Sequence, residues 1–132
     1  MSGGPLRFEV RAALLIGLLL PILETMRRGA SYWSVNATTM LEDYAGGALL
    51  LASWLAAINA KPYATRLLLM SWAGVTAMMS ISFADQVETT LRGVDLEPNN
   101  GVVLVFKLLL WSTCLLALHR SFRAAARLPR EE

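Results

Sequence analysis

Five ionisable residues of this chain stand inside or beside apolar runs: Glu24, Glu42, Asp43, Asp85 and Lys107. Charge in hydrocarbon is costly, roughly 2.5–3.5 kcal/mol per residue at the centre of a helix, so it needs a partner or a purpose. Lys107 bears most of that cost, because Leu104-Val105-Phe106 precedes it and Leu108-Leu109-Leu110 follows it. A lysine near a helix end can extend its stem outward. Pairing with Asp85, Glu24 or Asp43 satisfies it better, through a charge-assisted hydrogen bond. Two chemistries fit such a cluster. One is a structural ion-pair network whose carboxylates sit at an interface. The other is a polar pocket for a cation, a proton or a small amine, since carboxylates within membranes line ion and proton paths. Such paths usually run near the membrane midplane, whereas these acids lie near one face, which makes the ion-pair network the leading expectation.

The elements that must position these residues are four apolar segments, expected as helices over about 6–26, 41–60, 64–84 and 101–123, with a basic tail over 120–132. The chain has 132 residues, 55% of them hydrophobic, and a mean hydropathy of +0.48, too apolar for an ordinary soluble domain. There is room for a single domain, residues 1–132. Crossing a bilayer takes about 20 residues. The third and fourth segments meet this directly, and the first two meet it when their charged ends are counted. The expected fold is all-α: an integral membrane protein built as a compact bundle of four transmembrane helices in antiparallel up-down order. In that bundle Glu24 lies near the outer end of the first helix, Glu42 and Asp43 open the second from the same side, and Asp85 closes the third. Lys107 lies about 9 Å below the outer end of the fourth, at 1.5 Å per residue.

The first segment follows Arg7 and Arg11 as a secretory leader would, but Pro21, Glu24, Arg27 and Arg28 do not make a small-residue cleavage site. It is therefore expected to stay as a helix. Orientation follows from Lys and Arg in short loops. With four spans, Arg7, Arg11, Lys61, Arg66, Arg120, Arg123, Arg127 and Arg130 share one side, eight residues against Arg27, Arg28 and Arg92 on the other. The acids Asp85, Glu88, Asp95 and Glu97 collect on the side with fewer basic residues. Both termini are thus expected in the cytoplasm, with the protein multi-pass in the inner (plasma) membrane. Lys61-Pro62-Tyr63 reads as a tight turn, and Gln86–Asn100 as a polar loop broken by Gly93 and Pro98, with Asn99-Asn100 capping the fourth helix. Tyr32 and Trp33 suit an interfacial belt, and Asn36-Ala37-Thr38 matches a glycosylation sequon.

The second segment carries small residues at close spacing: Gly46, Gly47, Ala48, Ala52, Ala56 and Ala60. Small residues let helix backbones approach in lipid, so this face is expected to pack, with Ala73, Gly74 and Ala77 of the third segment opposite. Met70, Met78, Cys114 and His119 supply soft sulfur and imidazole of the kind copper(I) prefers. Met78 falls toward the outer side, however, and Cys114 and His119 toward the cytoplasm, while Met70 and Cys114 at similar depth give only two sulfurs, so no metal or other cofactor is expected. A single cysteine excludes an internal disulfide. Gly46-Gly47 lies inside an apolar helix and cannot be a phosphate loop, and no serine, histidine and acid form a nucleophile motif, so catalysis is not expected. A net charge of +2, with basic residues dispersed, gives no case for nucleic acid. Arg120, Arg123 and Arg127 recur at spacings of three and four, which favours anionic headgroups.

The four-span hydropathy resembles that of the small multidrug resistance transporters, and the length and span count resemble those of the DoxX-like proteins. The first family has an essential acid at mid-membrane in its first helix; here Glu24 lies beyond Pro21 near the helix end, so neither resemblance assigns a role to a residue. The leading functional expectation is an accessory or scaffolding subunit of a membrane complex. Its partners would be the lipid bilayer and other membrane subunits or a second copy of the chain. The alternative is a small carrier or solute- and cation-binding protein using the charged cluster near the outer face.

Overall fold

The computed structural model describes residues 7–94 and 96–129; Leu6, Asp95 and residues 130–132 of the basic tail lie outside the described residues. The fold is helical: α1 (Phe8–Arg28), α2 (Ala37–Ile58), α3 (Ala64–Arg92) and α4 (Asn100–Ala126), with a 3-10 turn at Ala30–Ser34. Of these, α2, α3 and α4 are long and apolar enough to cross a membrane.

Two helices run further than their apolar cores suggest. α2 begins at Ala37 because Asn36 caps it, its Oδ1 accepting the Thr39 N–H at 3.3 Å. Glu42 and Asp43 therefore sit in the second turn rather than opening the helix. α3 continues past Asp85 to Arg92 and stops at Gly93, whose φ of 65° is left-handed. The polar loop expected over 86–100 shrinks accordingly to Gly93–Asn99. Asn99 holds the N-cap position of α4 without a side-chain bond. Asn100 turns away from the cap, accepting from Gln86 Nε2 at 2.6 Å and donating to Thr90 Oγ1 at 2.9 Å. These three polar side chains satisfy one another and lock the start of α4 to the last turns of α3.

The tightest packing joins α1 to α2 and α3 to α4. Pro21 lies inside α1 and has no N–H, so the Gly17 carbonyl loses its helical donor. Gly47 of α2 packs against that same carbonyl: a Cβ there would stand 2.7 Å from Gly17 O and 2.9 Å from Pro21 Cδ. Only glycine fits, and its backbone covers a polar group that α1 cannot satisfy itself. Gly46 faces α3, where Val75 and Met78 pack on it. Across α2 and α3 the hydroxyls of Ser53 and Ser71 meet at 2.6 Å. Trp72 is wholly buried, and its Nε1 donates to the Glu9 carbonyl at 3.2 Å, tying α3 to the start of α1.

The alanine stripe of α2 behaves differently from the sequence reading. Gly46, Gly47 and Ala56 are buried, but Ala48 and Ala52 are exposed and Ala60 falls in the turn after the helix, at φ 49°. Positions four apart advance by about 40° at 3.6 residues per turn, so such a stripe cannot stay on one face. The buried face of α2 instead runs through Met40, Gly46, Gly47, Leu50, Ser53 and Ala56. Ala73, Gly74 and Ala77 of α3 are likewise exposed.

Candidate functional site: a charged cavity among four helices

A cavity of about 410 Å3 opens between α1 and α4, with Asp43 of α2 and Met79 and Ser82 of α3 completing its lining. Helical spacing puts its lining there. Glu24 follows Leu20 by one turn on the buried face of α1, and Asp43 precedes Gly47 by one turn on α2. Val103, Lys107 and Leu110 share one face of α4, and Met79 and Ser82 share one of α3. Leu20, Leu23, Met79, Val103, Phe106 and Leu110 make the walls apolar, and Glu24, Arg27, Asp43, Ser82 and Lys107 supply the polar groups.

The charges are held unequally. Glu24 is 7% exposed and pairs with Arg28 one turn along α1, whose guanidinium lies 4.7 Å from the centre of the Tyr32 ring. Beside it Thr25 and the Tyr44 hydroxyl share a short hydrogen bond between α1 and α2, and Tyr44 packs edge-on against Trp33. Arg27 reaches the α3–α4 connection, donating to Glu97 at 2.9 Å. Lys107 does something else. Its Nζ donates to the backbone carbonyl of Ser82 at 3.2 Å, and no carboxylate of the described residues lies within 4.0 Å of it. The expected lysine–acid pair is thus replaced by a lysine–carbonyl bond, which leaves the ammonium two donors to spare. Trp111 donates to Ser80 Oγ at 2.8 Å and stacks on Phe83 with ring centres 5.1 Å apart, bracing α4 on α3 just below.

Of the five residues singled out in the sequence, the structure brings Glu24, Asp43 and Lys107 into one cavity. Glu42 and Asp85 are exposed and outside its lining. Arg27 and Arg28 were missed as members of the site, although Arg28 stands four residues after Glu24, the spacing of an intrahelical ion pair. Met70 is exposed and Cys114 fully buried, and no three histidine, cysteine or acidic side chains of the described residues are grouped as metal ligands.

The chain matches no protein-family model, and no curated protein or solved structure matches it. What the cavity can hold has to be read from its own chemistry. Once Glu24 is paired with Arg28 and Arg27 with Glu97, the groups that still lack a charged partner among the described residues are Asp43 and Lys107. One carboxylate and one ammonium then face an apolar chamber of the size that small ligands occupy.

Proposed function

We propose that the protein is an integral membrane protein of four antiparallel spans that binds a small amphipathic solute in this cavity. The apolar body lies along Leu20, Val103 and Phe106, an amine of its head meets Asp43, and an acceptor oxygen meets Lys107. The observation that carries this reading is the convergence of Glu24, Asp43 and Lys107 from three helices on one apolar cavity of about 410 Å3. Buried ionisable groups in a membrane domain mark a site for a ligand when their partners do not neutralise them all.

Spanning by α1, which carries Glu9, Arg11, Glu24, Arg27 and Arg28, is supported by the pairing of its charged ends: Glu24 with Arg28, and Glu9 with Arg7 and Arg120. The up-down order is supported by contacts such as Thr25 with Tyr44, Ser53 with Ser71 and Lys107 with Ser82. The excess of eight basic residues over three on the side of both termini supports a cytoplasmic placement of those ends in the plasma membrane.

The test is equilibrium binding of a fluorescent alkylamine to the purified protein in nanodiscs, with Asp43→Asn and Lys107→Met beside the wild type. Asp43→Asn should weaken binding at least roughly ten-fold, the loss of one charge-assisted hydrogen bond, while its melting temperature stays close to wild type. Unchanged affinity in Asp43→Asn would sink the proposal. A second reading, the accessory subunit, is favoured by the exposed small-residue faces of α2 (Ala48, Ala52) and α3 (Ala73, Gly74, Ala77), which permit close lateral contact with another chain. It requires a stoichiometric partner to co-purify from native membranes. It also requires Lys107→Met to lower stability and to couple with Asp85→Asn in a double-mutant cycle.

A further inference from the structure

A second cavity lies at the opposite end of the bundle, where α1 and α3 begin and α4 ends, and nothing in the proposed solute site uses it. Its volume is about 610 Å3 and its polar lining is Arg7, Thr65, His119, Arg120, Arg123 and Arg127, with Glu9 as the one acid. Four guanidinium groups around one carboxylate leave the cleft strongly positive. Glu9 is 2% exposed and buried at the base of this cleft. Its two oxygens are shared between helices: Oε1 stands 3.2 Å from Arg7 Nε, and Oε2 stands 3.5 Å from Arg120 Nε. Both approaches are made through Nε, and the Arg120 contact is an ion pair rather than a hydrogen bond. The Arg120 guanidinium also lies 5.6 Å from the centre of the Phe8 ring, within reach of a cation–π contact. Arg123 and Arg127 have no acidic partner among the described residues within 4.0 Å.

This is a built arrangement rather than a scatter of surface charge. A buried carboxylate from α1 orients one arginine from its own chain start and one from α4, and the Trp72 bond to the Glu9 backbone fixes that carboxylate's helix in turn. Planar guanidinium groups match the oxygens of a phosphoryl group in two-pronged fashion. A hydroxyl from Thr65 and an imidazole from His119 complete a donor set suited to tetrahedral oxygens. We infer that this cleft binds a phosphoryl group, with Arg120 and Arg7 positioned by Glu9 and with Arg123 and Arg127 closing over the anion. The chemistry is shared by the phosphomonoester headgroup of a lipid and by a soluble phosphate.

The experiment distinguishes the two sources and separates a site from general surface charge. The full chain is reconstituted in phosphatidylcholine nanodiscs, and its thermal midpoint is followed as inorganic phosphate is titrated into the buffer. In a parallel arm, nanodiscs carry 10 mol% phosphatidic acid or 10 mol% phosphatidylserine, about one lipid in ten in each. Stabilisation by free phosphate assigns a soluble ligand. Stabilisation by phosphatidic acid above that by phosphatidylserine assigns a lipid phosphomonoester. In whichever arm responds, Arg123→Gln should raise the half-saturating concentration roughly ten-fold. Arg11→Gln, an exposed arginine of α1 outside the cleft, should leave it unchanged. Equal losses from the two variants would reduce the cleft to generic attraction and overturn the inference, as would the absence of a response in both arms.

Discussion

α1 carries one buried glutamate near each end, and the two are held by different kinds of neighbour. Glu24 is matched by Arg28, four residues on along the same helix. Glu9 is matched by Arg7 and by Arg120, a residue more than a hundred positions away on α4. A pair made within one helix forms as soon as the helix does and says little about tertiary structure. A pair made across helices forms only when the bundle closes, and it couples the first turn of α1 to the last turns of α4. The surroundings differ too. Glu24 borders an apolar chamber with a few charges in its wall, whereas Glu9 lies under a cleft of arginines.

The largest effect comes from moving α1 as a whole. Gly47→Leu forces a side chain into the space between the Gly17 carbonyl and Pro21. It should destabilise the bundle by about 3 kcal/mol, the upper end of overpacking costs, read as a loss of cooperative melting in detergent. Both glutamates would lose their setting together. The next effect separates the ends. A double-mutant cycle between Glu9→Gln and Arg120→Met should give a coupling of about 1 kcal/mol or more, as for residues of one network, measured by denaturant unfolding of the reconstituted protein. Half of the Arg120 side chain is exposed, so solvent screening holds the value to the lower part of that range. The smallest effect is at the other end. Glu24→Gln against Arg28→Met should couple by less than about 0.5 kcal/mol, the level of an intrahelical pair. A coupling at Glu24 equal to that at Glu9 would erase the contrast between local and long-range pairing.

The same contrast explains what the sequence reveals and what it hides. Apolar run length and loop residues place the four helices, but the end of α3 lies well beyond the expected 84, at Arg92. Glu24, Asp43 and Lys107 are legible as one group, because each interrupts hydrocarbon at a similar distance from a helix end. The errors arise where partners lie in three dimensions. Lys107 finds a backbone carbonyl, which no residue type advertises. Asn36 resembles a modification signal and serves as a cap. Ala48 and Ala52 share a spacing with buried positions but rotate outward. Nothing in the sequence singles out Glu9 between Arg7 and Arg11, and only the arrival of Trp72 and Arg120 buries it.

The helices are also unequal in height. At 1.5 Å per residue, the 29 residues of α3 make about 44 Å, against about 33 Å for the 22 residues of α2. Hydrocarbon about 30 Å thick matches the shorter helix without tilt and is overshot by the longer one. In the proposed membrane setting, the surplus turns of α3 rise beyond the start of α2, where Gln86, Thr90 and Asn100 form their closed polar set. Lys107 sits two turns below that set on α4, so bilayer thickness governs how much lipid lies above the ammonium. In that setting a thin bilayer would place the mouth of the proposed solute cavity among headgroups, and a thick one would seal it behind acyl chains. Membrane thickness would thereby tune access to the cavity without touching any residue in it.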